Sequence, residues 1–212
     1  TDVDEEQLGA WYMLFWNTSF GDGPYGLQGD VQYRNWDIGG DLEQLLLRGG
    51  LTWTPEGSGL TLTGGFAHIT SGEFGDGDTT SSERRTYQEA LLRQSIGDGL
   101  HLRHRYRVEQ RWVDDQDFRT RYRYALFVDV PLNGKGTAGP GAVYLALYDE
   151  VFINGERGIG EGRRVQLFDR NRLYGALGFG IAERAKVQAG YMVQTLPNAS
   201  KGQLQISLHA TF

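Results

Sequence analysis

The feature that most constrains the fold is an alternation of polar and apolar residues that recurs along most of the chain. Residues 101–112 read HLRHRYRVEQRW, in which every second position is His, Arg or Glu and most of the positions between are apolar or aromatic. Successive side chains of a β-strand point to opposite faces, so this period of two predicts strands with one charged face and one apolar face. A helical period is nearly absent, and the sequence therefore predicts an all-β fold.

Eleven such runs can be counted, the first over residues 8–20 and the last over 204–212. Turn signals separate them, among them GDGP at 21–24, DIGGD at 37–41 and PLNGKGTAGPG at 131–141. Evenly spaced runs without helices predict an antiparallel up-and-down meander, and closure into a barrel is the simplest way to remove its edges. Because single-chain bacterial barrels normally close with an even number of strands, we expect about twelve strands, with ten as the alternative.

Composition bounds the organisation of the chain. The 212 residues show no linker and no shift in composition, so we expect one domain over 1–212, with 1–7 as a short N-terminal extension. The acidic opening TDVDEEQ is interpreted as a processed or trimmed start, and no signal peptide is visible. Cysteine is absent, which excludes disulfides and thiolate metal sites. The net charge of −6 argues against nucleic acid as a partner.

Alternation alone does not decide whether the apolar face of the barrel points inward or outward. Three features favour a transmembrane barrel, whose apolar face meets lipid. Several runs reach ten or more residues, enough for a tilted strand to cross a bilayer. The polar face mixes its charges with Gly, Thr, Ser and Gln, as a lumen lining does. Aromatic residues gather near the run ends and are interpreted as interfacial girdles: Trp11, Tyr12, Phe20, Tyr33, Trp36, Trp53, Trp112, Phe118, Phe179, Tyr191 and Phe212.

Arginine dominates the polar face, since only three of the 21 basic residues are lysine. Closely spaced guanidinium groups repel one another and need acceptors. Carboxylates on the same side are Glu43, Glu89, Glu109, Asp129 and Glu150, although the register of the runs that contain Glu89 and Glu150 is ambiguous. The predicted lumenal and selectivity residues are Arg103, Arg105, Arg107, Glu109, Arg111, Arg119, Arg121, Arg123, Asp129, Glu150 and Arg172. His104 and Gln110 are polar exceptions on the outer face.

Two interpretations of this arginine set stay open. Rings of arginine select anions in pores, so the set could form the constriction of a small passive channel for small polar or anionic solutes. Arginine–carboxylate pairs could instead brace a closed barrel that acts as a structural anchor or interaction scaffold. A second polar group, Glu150, Asn154, Asn171 and Arg172, is either a hydrogen-bonded pair that fixes strand register or a lumenal ligand contact.

An outer-membrane hydrolase is a less favoured hypothesis, because it needs a nucleophile, a base and an orienting group at compatible positions. None of the histidines, at 68, 101, 104 and 209, lies in a recognised motif, although His101 or His209 with Ser207 is conceivable. We therefore predict no enzyme activity, no catalytic residue and no cofactor. We also predict no metal site, because the acidic turns GDGD at 75–78 and DDQD at 114–117 do not match a calcium loop.

The order of several motifs resembles the DUF2490 family over nearly the whole chain. These motifs are QYR at 32–34, QLLLRGGL at 44–51, ERRTYQEALLR at 83–93, HRYRVEQRW at 104–112, RTRYRY at 119–124, DEVFIN at 149–154, FDRNRLYGALGFG at 168–180 and GYMVQ at 190–194. The family is regarded as a bacterial outer-membrane β-barrel of undefined function. The resemblance therefore implies a barrel in a Gram-negative outer membrane, in contact with the lipid bilayer and lipopolysaccharide, and it implies no activity or oligomeric state. Phe212 resembles the carboxy-terminal phenylalanine that the barrel-assembly machinery reads.

Overall fold

The computed structural model describes residues 7–75, 77, 79–97 and 99–212, and over these residues the chain forms a closed barrel. Consecutive strands pair antiparallel, which confirms the predicted all-β, up-and-down barrel. The strands are β1 (Gly9–Ser19), β2 (Tyr25–Asn35), β3 (Leu42–Trp53), β4 (Leu60–Gly72), β5 (Thr80–Ile96), β6 (Leu100–Val113), β7 (Arg119–Pro131), β8 (Val143–Asn154), β9 (Phe168–Ala182), β10 (Ala185–Thr195) and β11 (Ser200–Thr211).

The barrel closes through a parallel pair, β1 with β11, in which Gly9 lies opposite Gln203 and Asn17 lies opposite Thr211. With an odd number of alternating strands, the first and the last run in the same direction, and parallel pairing is the only closure available. The expected count of twelve or ten is therefore corrected to eleven, the number of alternating runs in the sequence. We call the end of the barrel at which β1 begins the proximal end and the opposite end the distal end.

Apolar side chains cover the outer face of the barrel. Leu51, Tyr106 and Leu173 are each more than half exposed, at 64%, 55% and 58%. Most of the aromatic residues assigned to girdles are also exposed on the outside, but Trp11 and Trp36 are not, since they are only 2% and 5% exposed. Trp11 points into the lumen because it lies on the inward side of β1, and its indole N–H donates to Glu43 at 2.9 Å. Those two girdle assignments were wrong.

The two polar exceptions on the outer face have polar neighbours there. His104 Nδ1 lies 2.9 Å from the hydroxyl of Tyr124. Gln110 exchanges hydrogen bonds with Gln88, and its side-chain oxygen also accepts one from Thr86. These pairs reduce the number of unpaired polar groups on the outer face, where Asp149 and Asn171 form a further polar pair.

Over the residues that the structure describes, no helix is long and apolar enough to span a membrane.

The lumen has two walls of different chemistry. The inward residues of β2–β7 are mostly arginines, carboxylates and polar groups. Those of β1 and β8–β10 include an apolar cluster of Trp11, Tyr144, Ala146, Tyr174, Ala176 and Met192, against which Met13 and Tyr148 pack. Inward glycines make room for the large rings, since a Cβ at Gly65 would lie 2.5 Å from the ring of Tyr87. A charged wall therefore faces an aromatic wall across the barrel.

Candidate functional site in the barrel lumen

A cavity of about 330 Å³ lies between these two walls. It reaches Asn17 and Arg93, which are exposed near the distal end. At the proximal end, by contrast, Asn35, Trp36 and Gln203 are buried. The charged residues of the cavity wall are twelve arginines and four carboxylates, namely Arg34, Arg48, Arg85, Arg93, Arg103, Arg105, Arg107, Arg111, Arg121, Arg123, Arg170 and Arg172 with Asp30, Glu89, Asp129 and Glu150. Arginines thus outnumber carboxylates in the cavity wall.

All eleven residues predicted for the lumen point inward. Nine of them are buried, and Arg103 and Arg105 are partly buried. The cause is the parity of their strands: β6 and β7 pair without a register shift, so odd-numbered residues of both strands share the lumen, with Glu109 opposite Arg121 and Arg107 opposite Arg123.

Glu109 is the centre of the arginine network. Its Oε2 accepts two hydrogen bonds from Arg121, at 2.9 and 2.6 Å, and its Oε1 accepts one from Arg123 at 2.5 Å. Arg85 and Arg107 have guanidinium nitrogens 3.9 and 3.8 Å from the same carboxylate. One carboxylate, on a side chain that is 1% exposed, is therefore shared by four arginines from three strands.

Two further carboxylates extend the network along the barrel. Glu150 Oε1 accepts from Arg105 at 2.7 Å and from Arg123 at 2.9 and 2.6 Å. Glu89 pairs with Arg107 and lies 3.8 Å from Arg105 Nε. Arg123 and Arg107 are thus each shared between two carboxylates, which fixes the rotamers of this part of the wall.

Several network members were not predicted. Glu83 pairs with Arg85 and Arg111, and Asp30 pairs with Arg48 at 2.7 Å. The four that were not predicted, Glu83, Arg85, Asp30 and Arg48, lie on the polar face of their strands, so the alternation contained the signal. Asp169 is different: it pairs with Arg121 at 2.9 Å but lies at the register shift between β8 and β9, where parity fails.

The carboxylates predicted as acceptors divide into two kinds. Glu89, Glu109, Asp129 and Glu150 pair with arginines, Asp129 through Arg103 at 3.0 Å. Glu43 instead accepts from the indole of Trp11 and from Gln203, and within the described part of the chain no cation lies within 4.0 Å of it. Its lumenal position is as predicted, but its contacts are with neutral groups.

Two aromatic rings, those of Phe152 and Tyr87, lie against guanidinium groups of the network. The guanidinium carbons of Arg123, Arg172 and Arg121 lie 4.4, 4.8 and 5.1 Å from the ring centre of Phe152. Arg107 lies 4.8 Å from the ring of Tyr87. Such stacking holds planar guanidinium groups in place while leaving their edges available for hydrogen bonds.

The second predicted polar group does not assemble. Asn171 lies on the outer side of β9 and donates to Asp149 at 2.9 Å, whereas Asn154 donates to the backbone of Gln166. Arg172 is opposite Glu150 in the strand register, yet its Nε donates to Gln194 at 2.8 Å, and no ion pair to a described carboxylate forms. These side chains belong to three separate contacts.

The residues considered for hydrolysis lie in two places. Ser207 and His209 are neighbours on the lumenal side of β11, with Oγ and Nε2 2.9 Å apart, and His209 stacks on Phe15. No described carboxylate bonds to the His209 ring, so the pair has no acidic orienting group. His101 instead contacts Ser95 at 3.1 Å.

Outside residues 1–6, 76, 78 and 98, no group of three metal-ligating side chains comes together. The turn at 114–117 provides no such group. Both acidic residues of the GDGD turn at 75–78, Asp76 and Asp78, lie outside the described residues.

Comparison with known proteins gives a family without an assigned activity. An uncharacterized protein of Methylorubrum extorquens is 28% identical over 166 residues, which cover 76% of this chain and 67% of the relative. No solved structure matches the chain. A family model described as "Protein of unknown function (DUF2490)" matches residues 8–205, and the chain therefore belongs to the DUF2490 family.

Proposed function

We propose that the protein is a bacterial outer-membrane β-barrel that passes small polar or anionic solutes through an arginine-lined lumen. The observation that carries this proposal is an excess of arginine: twelve arginines line the cavity, against its four carboxylates and three more, Glu83, Glu109 and Asp169, that pair with those arginines from outside the lining. A cleft lined by one sign of charge, with walls of low dielectric constant, concentrates counter-ions, and arginine-lined pores favour anions. The excess of arginine therefore suits the lumen to small anions.

The length of the strands and the apolar outer surface of the barrel support a location in the outer membrane. Every strand has at least 11 residues, and a tilted transmembrane strand needs about 9–11. Large apolar side chains are exposed around the barrel, and soluble monomers rarely expose contiguous apolar patches above a few hundred Å². Lipid and lipopolysaccharide would cover this surface. Phe212, 71% exposed beside the last strand, would be presented to the assembly machinery.

The experiment is conductance of the refolded protein in a planar bilayer under a potassium chloride gradient. Three arginines of the cavity wall, Arg34, Arg93 and Arg172, have no carboxylate within 4.0 Å among the described residues, so replacing them leaves no acid unpaired. We expect the wild type to prefer chloride and the triple Arg→Gln variant to lose that preference.

The matched control replaces three arginines outside the lumen, Arg84, Arg157 and Arg184, by Gln. It has the same change in net charge and should keep the wild-type selectivity. Equal selectivity of the lumenal variant and the wild type would overturn the anion-selective channel.

A closed, salt-bridged scaffold is the second candidate, favoured by the burial of the proximal end and by the shared ion pairs around Glu109. It predicts a silent bilayer for protein whose folding is confirmed by heat-dependent gel mobility.

A further inference from the structure

Two arginines in the proximal half of the cavity lie close together without a counter-ion. Arg34 of β2 and Arg172 of β9 both place their guanidinium carbons over the ring of Trp11, 3.9 and 4.8 Å from its centre. They are near enough for their charges to interact. Within the described part of the chain neither has a carboxylate oxygen within 4.0 Å, and both are buried. This pair differs from the arginines around Glu109, each of which has an acidic partner.

The two guanidinium groups differ in the hydrogen bonds they still offer. Arg34 donates to the side-chain oxygens of Gln32 and Gln44, at distances from 2.6 to 3.1 Å. Arg172 donates only through Nε, to Gln194, and its two terminal nitrogens donate to no group of the described residues. Arg172 also lines the cavity. The fork of Arg172 is therefore available to an acceptor that enters the cavity.

A buried like-charge pair is costly unless an anion balances it. The geometry of a terminal guanidinium fork matches a carboxylate, which accepts two parallel N–H bonds. A ligand carboxylate on Arg172 would also be attracted by Arg34 across Trp11. We call this carboxylate-binding position the head-group site: Arg172 donates the hydrogen bonds, and Arg34 adds positive charge beside it.

An apolar surface lies directly beside this head-group site. Tyr174 is two residues beyond Arg172 on the same face of β9, and its ring stacks on Tyr148 with 4.7 Å between centres. Phe127 lies against Tyr148 at 5.5 Å, and Met13 also borders the cavity. An inorganic anion would leave these rings without contact, whereas a ligand with an apolar body would cover them.

We propose that the cavity binds an amphipathic monocarboxylate, with its carboxylate on Arg172 and its apolar body against Tyr148 and Tyr174. This inference rests on the proposed function in that the lumen must admit small anions from solution. The cavity volume of about 330 Å³ falls at the lower end of the range of small-molecule sites, which suits a ligand of the size of benzoate.

The test is calorimetric titration of the full chain, refolded in nonionic micelles, with three probes. Benzoate has both the charge and the ring, benzamide has the ring without the charge, and acetate has the charge without the ring. We expect saturable binding of benzoate and at least about tenfold weaker binding of the other two. Equal affinity for acetate, or binding of inorganic phosphate in place of benzoate, would overturn the proposal.

Variants locate the site. Arg172→Gln should weaken benzoate binding about ten- to hundredfold, as expected for loss of hydrogen bonds to a charged group. Arg119→Gln is the matched control, because Arg119 is also a buried lumenal arginine without an acidic partner among the described residues but lies outside the cavity wall. It should bind benzoate like the wild type. Arg34→Gln, which should also weaken binding, serves as a second variant if Arg172→Gln does not fold.

The outcomes separate this inference from the channel proposal. Arg172-dependent benzoate binding in a protein that is silent in the bilayer would support the site and overturn the channel. Anion-selective conductance without benzoate binding would support the channel and overturn the site. Wild-type affinity for benzoate in Arg172→Gln would place the ligand elsewhere and overturn the assignment.

Discussion

Glu109 Oε1 accepts a hydrogen bond of 2.5 Å from Arg123, so that adjacent strands β6 and β7 are joined by side chains inside the barrel as well as by their backbones. The two residues are not directly opposite in the register, since Glu109 faces Arg121. Arg123 also donates two hydrogen bonds to Glu150 on β8. This diagonal contact makes the ion pairs a chain across three strands.

Glu109→Gln is expected to destabilise the barrel strongly, because it keeps the side-chain shape while leaving four arginines without their shared charge. Breaking a buried ion pair on one side typically lowers the free energy of unfolding by about 3–5 kcal/mol. The measurement is guanidinium-induced unfolding in micelles. Glu161→Gln is the control, since its contact with Arg163 is exposed and should be worth less than about 1 kcal/mol. Equal stability of the two variants would contradict the central role of Glu109.

Leu47→Arg tests whether lipid covers the outer face. Leu47 lies midway along β3 with its side chain exposed, and an arginine facing the bilayer midplane costs about 2–4 kcal/mol of folding free energy. We expect lower stability in lipid vesicles, measured by urea titration. Ile38→Arg places the same charge at an exposed residue of the turn between β2 and β3 and should have little effect. Similar stability of both variants would argue that water, and not lipid, surrounds Leu47.

Thr120→Val should change the titration of Glu156, which lies between β8 and β9. Glu156 Oε2 accepts from the backbone N–H of Thr120 at 2.5 Å and from its hydroxyl at 2.7 Å, and these bonds lower the pKa of Glu156. Their stabilising effect is present above the unfolded pKa and is lost as the pH falls through the lowered, folded pKa. The variant keeps only the backbone bond, so the pKa should rise part of the way back.

The pKa of Glu156 can be followed by NMR of carboxyl-labelled glutamate. Thr137→Val, in a different loop, is the control and should leave the titration unchanged. An unchanged titration in Thr120→Val would show that the hydroxyl has no part in holding Glu156.

Ser207 should not react with a fluorophosphonate probe. Although His209 lies 2.9 Å from its hydroxyl, the described residues provide no carboxylate to orient that ring. Labelling is read by intact-mass spectrometry of folded protein, with Ser207→Ala as the matched variant. Labelling of the wild type that disappears in Ser207→Ala would instead support the hydrolase hypothesis.

Much of the lumen was predictable because a strand has only two faces. Alternation along β6 and β7 was enough to place Arg103, Arg107 and Arg121 inside. Alternation along β2 and β3 likewise places Asp30 and Arg48 on the inward face. The inward placement of these side chains could be predicted without knowing any contact across the barrel.

Other features depend on information that alternation does not contain. Asp169 reaches Arg121 from a register shift, and Trp11 is an aromatic residue on the inward parity, so each departs from the simple pattern. The lack of a counter-ion at Arg172 depends on how side chains from β9 and β2 meet across the lumen. Closure through a parallel pair is different, because the eleven alternating runs of the sequence already implied it and only the expectation of an even strand number led away from it.

The parallel seam has a consequence for the order of assembly. Every other strand pair joins neighbours in the chain, whereas the seam joins Gly9 to Gln203. Contacts between such distant residues carry the largest loop-closure entropy and form slowly, and parallel pairing is slightly weaker per residue. The pairing of β1 with β11 is therefore expected to form last during folding and to separate first during unfolding. In a partly folded barrel, these two strands would then border a lateral opening.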